Sequence, residues 1–299
     1  MKNTESKKEN QKNTKSETDN NIKEEKRVEK ELYLSANWKL QKGLIESIDF
    51  LDKLNTQCRK KKNFIPPQIE VIIAPETTSL LVCSAIKEKD DYQIAAQNCG
   101  PMAKGAYTGE ISATEIKEGG VKYVIVGHSE RRNIFKEDEE LIHKKIKTAY
   151  TSSLLPIVCC GESLEEHTNN QTEKIVKRQL KTAFREIEIK PEQLAILIAY
   201  EPTWAIGTGV TCDPEEANRI AGEIKRIVKK TITSMEIREK DIKVLYGGSI
   251  NPENISFFLS QENIDGTLVG GASLDIEKFE KMLEETKKEA EKKLKNSVL

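Results

Sequence analysis

Residues 195–231 read AILIAYEPTWAIGTGVTCDPEEANRIAGEIKRIVKKT. An apolar run from Ala195 ends in Tyr200-Glu201-Pro202, and a small-residue loop follows with Gly207-Thr208-Gly209. Asp213-Pro214 then opens a segment with Ala217, Ile220, Ala221, Ile224, Ile227 and Val228 at helical spacing. A capping Asp before Pro at the first helical position starts a helix well, and the period gives that helix one apolar face. The run before it does not alternate, as expected of a strand covered on both sides. The unit is strand, loop, helix.

The same unit recurs on either side. Apolar runs stand at Leu32–Asn37, Val71–Pro75, Gln93–Asn98, Tyr123–His128 and Pro156–Gly161, then at Ala195–Pro202, Lys243–Ser249 and Thr267–Gly271. Helical stretches lie between them. Ser79–Glu88 carries Leu80, Leu81, Cys83 and Ile86, and Asp138–Thr151 carries Leu141, Ile142, Ile146 and Ala149 on one face. Asn251-Pro252 is a second helix start of the Asp213-Pro214 kind. Strand–helix alternation implies a parallel sheet. Eight units in about 250 residues fit a closed (β/α)8 barrel better than an open doubly wound sheet. The expected organisation is a single barrel domain over residues 31–299. Residues 1–30 are almost entirely Lys, Glu, Asn, Ser and Thr, with only Met1, Ile22 and Val28 apolar, and are expected to form a disordered N-terminal extension. That extension has no apolar core of a secretory signal, and its glutamates are unlike a transit peptide.

Composition narrows the function. The chain has 299 residues, 48 Lys+Arg against 49 Asp+Glu and a formal net charge of −1, so no surplus of positive charge is available to neutralise nucleic-acid phosphates. No stretch approaches the roughly 20 apolar residues of a membrane span. The six cysteines, at 58, 83, 99, 159, 160 and 212, form no CxxC pair and read as reduced, mostly buried thiols. His128, His143 and His167 lack partners at metal-ligand spacing, so no metal site is expected.

Chemistry on a barrel belongs at the C-terminal strand ends. Asn37-Trp38-Lys39 closes the first run, and Lys39 could merely snorkel to water. Gly127-His128-Ser129-Glu130-Arg131-Arg132 closes the fourth; His128 could be a core imidazole, but Ser129 and the charges after it suggest a polar loop opening a short helix. Glu201 ends a strongly apolar run, where a poorly solvated carboxyl is a competent base. Gly247-Gly248-Ser249 and Gly270-Gly271 end the last two runs, where barrel phosphate sites typically form on backbone N–H groups. The Gly-Thr-Gly loop suggests a mobile lid.

Together these stretches resemble the triosephosphate isomerase family. The matching segments are Ala36–Lys39, Ala96–Asn98, Gly105–Glu110, Gly127–Arg132, Cys159–Glu162, Tyr200–Gly209, Tyr246–Ser249 and Leu268–Leu274, in the family's order, over about residues 32–285. The resemblance implies a TIM barrel that interconverts dihydroxyacetone phosphate and glyceraldehyde 3-phosphate without cofactor or metal. It implies Glu201 as base, His128 as neutral electrophile and proton shuttle, Lys39 as the cation and Asn37 as an orienting group. Glu130 would pair with Lys39, while Gly207, Ser249, Gly270 and Gly271 would hold the phosphate. Ile206 and Leu268 resemble an apolar clamp over the base. A cytoplasmic homodimer is implied, with Thr108 bracing Lys39 or His128 across the interface, and no nucleic-acid or membrane partner. Leu40-Gln41 and Cys160 depart from the usual pattern, and the charged extension is no part of the family core. Two alternatives stay open: another phosphate-binding barrel isomerase, which would lack Asn-Trp-Lys with Gly-His-Ser-Glu, and an idle paralogue acting through its tail, which would have lost Glu201, His128 or Lys39.

Removing residues 1–30 is expected to leave melting temperature and specific activity nearly unchanged, because the segment has almost no apolar surface to bury. A drop of several degrees, or loss of most activity, would show that the extension docks.

Overall fold

The computed structural model describes residues 31–88, 91–207 and 209–297. The extension expected to be disordered lies outside the described residues. Eight parallel strands close into a barrel in sequence order: β1 Leu32–Asn37, β2 Ile69–Ala74, β3 Gln93–Ala96, β4 Tyr123–Val126, β5 Leu155–Cys160, β6 Ile196–Tyr200, β7 Ile242–Tyr246 and β8 Gly266–Val269. β8 closes on β1 with Tyr33 opposite Gly266 and Ala36 opposite Val269. Helices α1 Leu44–Lys60, α2 Leu80–Ile86, α3 Ala113–Glu118, α4 Ser129–Asn133 and α5 Glu139–Thr151 follow the first four strands. α6 Leu164–Thr168, α7 Thr172–Ala183, α8 Pro214–Thr231, α9 Ile255–Leu259 and α10 Ile276–Ser297 complete the outer ring.

The lack of alternation in the strands has its cause in two cores. Ile157, Cys159, Leu197, Ala199, Leu245 and Leu268 fill the barrel interior. Val158, Cys160, Ile196, Ile198, Val244 and Val269, the neighbours of those residues, pack outward against the helices. Each strand therefore buries both faces. Several strands stop short of their apolar runs, because the final residues leave the ladder to build the mouth. Continuing the β6 period through 197 and 199 carries Glu201 inward.

α8 begins as expected: Asp213 Oδ1 accepts from the N–H groups of Glu215 (2.9 Å) and Glu216 (3.1 Å). Asn251 instead caps a turn, accepting from Glu253 N and Asn254 N, and α9 starts only at Ile255. Of the apolar residues in the second helical stretch, Leu80 and Cys83 are buried but Leu81 is 56% exposed. α5 buries Ile142, Ile146 and Ala149, and also buries Lys145, which no apolar pattern reveals.

All six cysteines are free, five buried and Cys58 half-buried. Burial pushes the Cys99 thiol up to about 12 and the Cys159 thiol well above its ordinary range. Cys159 and Cys160 point to opposite faces of β5, one into the barrel and one toward the helices, so they do not pair.

β5 and β6 approach most tightly beside Glu201. Glu201 N donates to Cys160 O at 2.7 Å. A Cβ on Gly161 would lie 1.8 Å from the Glu201 carbonyl oxygen. Gly161→Ala must therefore separate the strands. Overpacking of this kind costs about 1–3 kcal/mol, or a fall in melting temperature of about 2–12 °C at roughly 2–4 °C per kcal/mol. A melting curve matching the wild type would contradict this packing.

Candidate active site

The C-terminal strand ends surround a cavity of about 240 Å³. Asn37, Lys39, His128 and Glu201 line it together with Gly207, Ser249, Gly270 and Gly271. Ile206 and Leu268 also face it. The ten catalytic, binding and apolar positions expected from sequence thus meet in one place, although they come from five strand ends. Glu130 and Ser129 lie just behind it, through hydrogen bonds described below. Thr108 stands apart, exposed on the loop between β3 and α3.

Glu201 is 2% exposed. Its Oε2 accepts from Ser129 N at 2.8 Å, and its Oε1 lies 3.1 Å from His128 Nε2. His128 owes its place to Gly127, whose φ of +76° breaks the strand period and turns the imidazole toward the mouth. His128 Nδ1 accepts from Glu130 N at 3.2 Å. That nitrogen therefore carries no proton, and the neutral ring presents Nε2–H to the cavity. The Glu130 carboxylate, 3.6 Å from Nδ1, is too far for a hydrogen bond.

Lys39 Nζ forms an ion pair with Glu130 Oε1 at 2.7 Å. Its backbone is left-handed, φ +52°, a conformation that costs a non-glycine residue about 1–2 kcal/mol. Two side chains hold it there. Asn37 Oδ1 accepts Lys39 N–H at 3.0 Å, and Gln97 Nε2 donates to Lys39 O at 2.9 Å and to Ala74 O at 3.0 Å. The sequence reading gave Gln97 no role; it was legible only as part of the matching segment Ala96–Asn98.

The glycines divide into two kinds. A Cβ on Gly247 would come 2.9 Å from Glu201 Cγ, and one on Gly248 would come 2.2 Å from Tyr246 OH. This pair makes room for the carboxyl and for a tyrosine, rather than only letting an anion approach. Gly270 and Gly271 open a 3-10 turn whose first N–H groups have no partner within it, and Gly271 has open space beside it. Ser249 N–H is engaged with Ala205 O at 3.0 Å, and Ser249 Oγ donates to the same oxygen at 2.8 Å. An anion takes this N–H only when the Ala205 carbonyl withdraws.

A second cluster lies beside the turn Thr203–Ala205. Glu162 is fully buried and accepts from Tyr200 OH (3.2 Å) and Trp204 Nε1 (2.9 Å), and its carbonyl accepts from Thr203 N and Oγ1. Lid attachment was not foreseen for Glu162, which was legible only as part of a motif.

The model of the family described as triosephosphate isomerase matches residues 32–286. The chain belongs to the triosephosphate isomerase family. The triosephosphate isomerase of Dictyoglomus thermophilum is 43% identical over 246 residues, which span 82% of this chain and 96% of that protein. That of Endomicrobium trichonymphae is 39% identical over 254 residues, 85% and 98% of the two chains, and that of Clostridium botulinum (strain ATCC 19397 / Type A) is 40% identical over 246, 82% and 96%. The matched span holds all eight strands and the whole cavity, as expected if the cavity is what this triosephosphate isomerase family preserves. Among the described residues no helix is long and apolar enough to cross a membrane.

Gln97→Leu removes the donor to Lys39 O, while Ala74 O keeps Trp38 N–H, and an unmet buried group of this kind costs about 1–3 kcal/mol. Turnover should fall with Lys39 itself intact, because its ammonium is no longer held over the cavity. Wild-type kcat/KM in this variant would show that the left-handed turn needs no clamp.

Proposed function

We propose that this chain interconverts dihydroxyacetone phosphate and D-glyceraldehyde 3-phosphate through an enediolate, with Glu201 as the base. Membership of the triosephosphate isomerase family makes it an isomerase of triose phosphates. The observation that carries the assignment of residues is the single cavity shared by a buried carboxylate, a neutral imidazole, a lysine and two glycine-rich turns.

Each step has a group suited to it. Glu201, released from Ser129 N–H, takes the proton from the carbon beside the carbonyl. His128 Nε2–H, freed from Glu201 by the same movement, donates to the carbonyl oxygen and passes protons between the two oxygens. Lys39 supplies the cation for a dianionic phosphate and for the enediolate, and Glu130 and Asn37 hold it in place. Asn37 also orients the substrate oxygens. Gly207, Ser249, Gly270 and Gly271 offer N–H groups to the phosphate. Ile206 and Leu268 exclude water from the base as the lid, residues 202–211, closes; Thr208 of that lid lies outside the described residues. The reaction only moves protons between carbon and oxygen, so the assignment calls for no cofactor and no metal.

The protein works as a homodimer in the cytoplasm, without nucleic-acid or membrane partners. Support for the dimer comes from apolar side chains left bare in the segments after β1, β3 and β4. Leu40 is 87% exposed, and Ile45, Met102, Tyr107 and Phe135 are all about half exposed or more. Thr108 lies among them, where it would reach Lys39 or His128 of a second copy.

A coupled assay with glyceraldehyde 3-phosphate tests the activity. Glu201→Gln should keep the fold and lose about 100-fold or more in kcat, as expected for a lost general base. Turnover at the wild-type rate would remove Glu201 from the chemistry.

A further inference from the structure

Away from the cavity, α7 and α8 pack side by side and leave a furrow of about 470 Å³ between them. Its lining is strongly basic. Lys177 and Lys181 stand four residues apart on α7, and Arg226 and Lys230 four apart on α8, so each helix presents cations one turn, about 6 Å, apart. Arg185, just past the end of α7, joins them. The arginines of this flank have partners. Arg185 pairs with Glu140 at 2.9 Å and Arg226 with Glu223, while Arg178 and Arg219 nearby pair with Glu139 and Glu216, both at 2.8 Å. Lys177, Lys181 and Lys230 are exposed and form no ion pair among the described residues. Of the two acids lining the furrow, Glu223 is taken by Arg226 and Glu186 forms no ion pair among the described residues, so positive charge is in surplus.

We propose that this furrow binds a small polyphosphate anion, the chemistry shared by inorganic polyphosphate and the phosphate chain of a nucleoside triphosphate. Like charges four residues apart on a helix destabilise it. Here two helices carry such pairs into one furrow, and an anion seated between them turns the repulsion into attraction from both sides. Lysine suits the task, because its ammonium is a compact charge with three rotatable donors and need not match a fixed geometry in a flexible chain. Size and lining select a small ligand over a macromolecule. The volume falls in the range of about 300–1,000 Å³ typical of small-molecule sites. A protein partner needs about 800 Å² on each side and apolar anchors at its centre, and no large apolar side chain in this lining is exposed. The furrow also lies on the flank after β5 and β6. The segments carrying bare Leu40, Tyr107 and Phe135 follow β1, β3 and β4, so a dimer formed through them leaves the furrow open.

Calorimetry on the full-length protein in magnesium-free buffer tests this with tripolyphosphate, ATP and adenosine. The two phosphates should bind and adenosine should not, with affinity falling as salt is raised. Equal affinities name the phosphate chain alone as the ligand and tighter ATP names a nucleotide; either result supports the site. The triple variant Lys177→Gln, Lys181→Gln, Lys230→Gln should weaken tripolyphosphate about 10-fold, the sum expected of three exposed charge contacts. Its melting temperature and kcat/KM should stay at wild-type values, since none of the three lysines lines the cavity. Arg at the same three positions should restore binding, and Glu186→Gln should strengthen it by removing the unpaired acid. Failure of the wild type to bind tripolyphosphate, or full affinity in the triple Gln variant, would overturn the proposal. An equal loss in Lys61→Gln, Lys62→Gln, which removes exposed cations elsewhere, would overturn it by making the binding diffuse. Displacement of tripolyphosphate by excess glycerol 3-phosphate would place the ligand in the cavity instead. Equal binding of a hexaglutamate peptide would likewise contradict it, by making the face a docking surface for acidic chains.

Discussion

The bond from Ser129 N–H to the Glu201 carboxylate is the constraint on which the site turns. A buried carboxylate needs donors, and Glu201 finds one on the first residue of α4 and faces the second at His128 Nε2. The carboxylate is therefore satisfied where it stands, and as the proposed base it would have to leave these donors. Ser249 is in the same condition, its N–H spent on Ala205 O. In the proposed mechanism, substrate replaces both of these internal bonds, and movement of the turn Thr203–Ala205 with Ile206 after it would supply the exchange.

Such an arrangement needs a rigid frame. Glu201 and His128 stand at the ends of β6 and β4, strands bridged by β5, and Gly161 allows β5 and β6 to close to contact beside the base. Lys39 is held against its backbone preference by Asn37 and Gln97, which reach it from its own strand end and from that of β3. Lys39, His128 and Glu201 are thus fixed by strand ends, while the rim proposed for phosphate is built from the turns after β6, β7 and β8. Preorganised groups of this sort act without the reorganisation that water would require.

Much of this was legible in the sequence, for physical reasons. Runs buried on both faces reveal parallel strands, and the period of β6 points Glu201 inward. Asp213-Pro214 fixes the start of α8 because capping is local. His128 was not placed by period: a left-handed Gly127 redirects it, and a glycine's φ is not written in its neighbours. Gly247 and Gly248 read as an anion loop, yet Gly247 clears Glu201 from the end of β6 and Gly248 clears the ring of nearby Tyr246. Gln97 and Glu162 act through bonds to residues 58 and 42 positions away, a distance no pattern spans. Asn251 misled for a similar reason, since its side chain caps a turn as readily as a helix.

The most direct test is a crystal structure with a phosphorylated hydroxamate that resembles the enediolate. Glu201 should have left Ser129 N–H and face the ligand carbon, with Ser249 N–H released from Ala205 O and bonded to phosphate. A ligand bound in the cavity with Glu201 still on Ser129 N–H, and Ser249 N–H still on Ala205 O, would contradict the account.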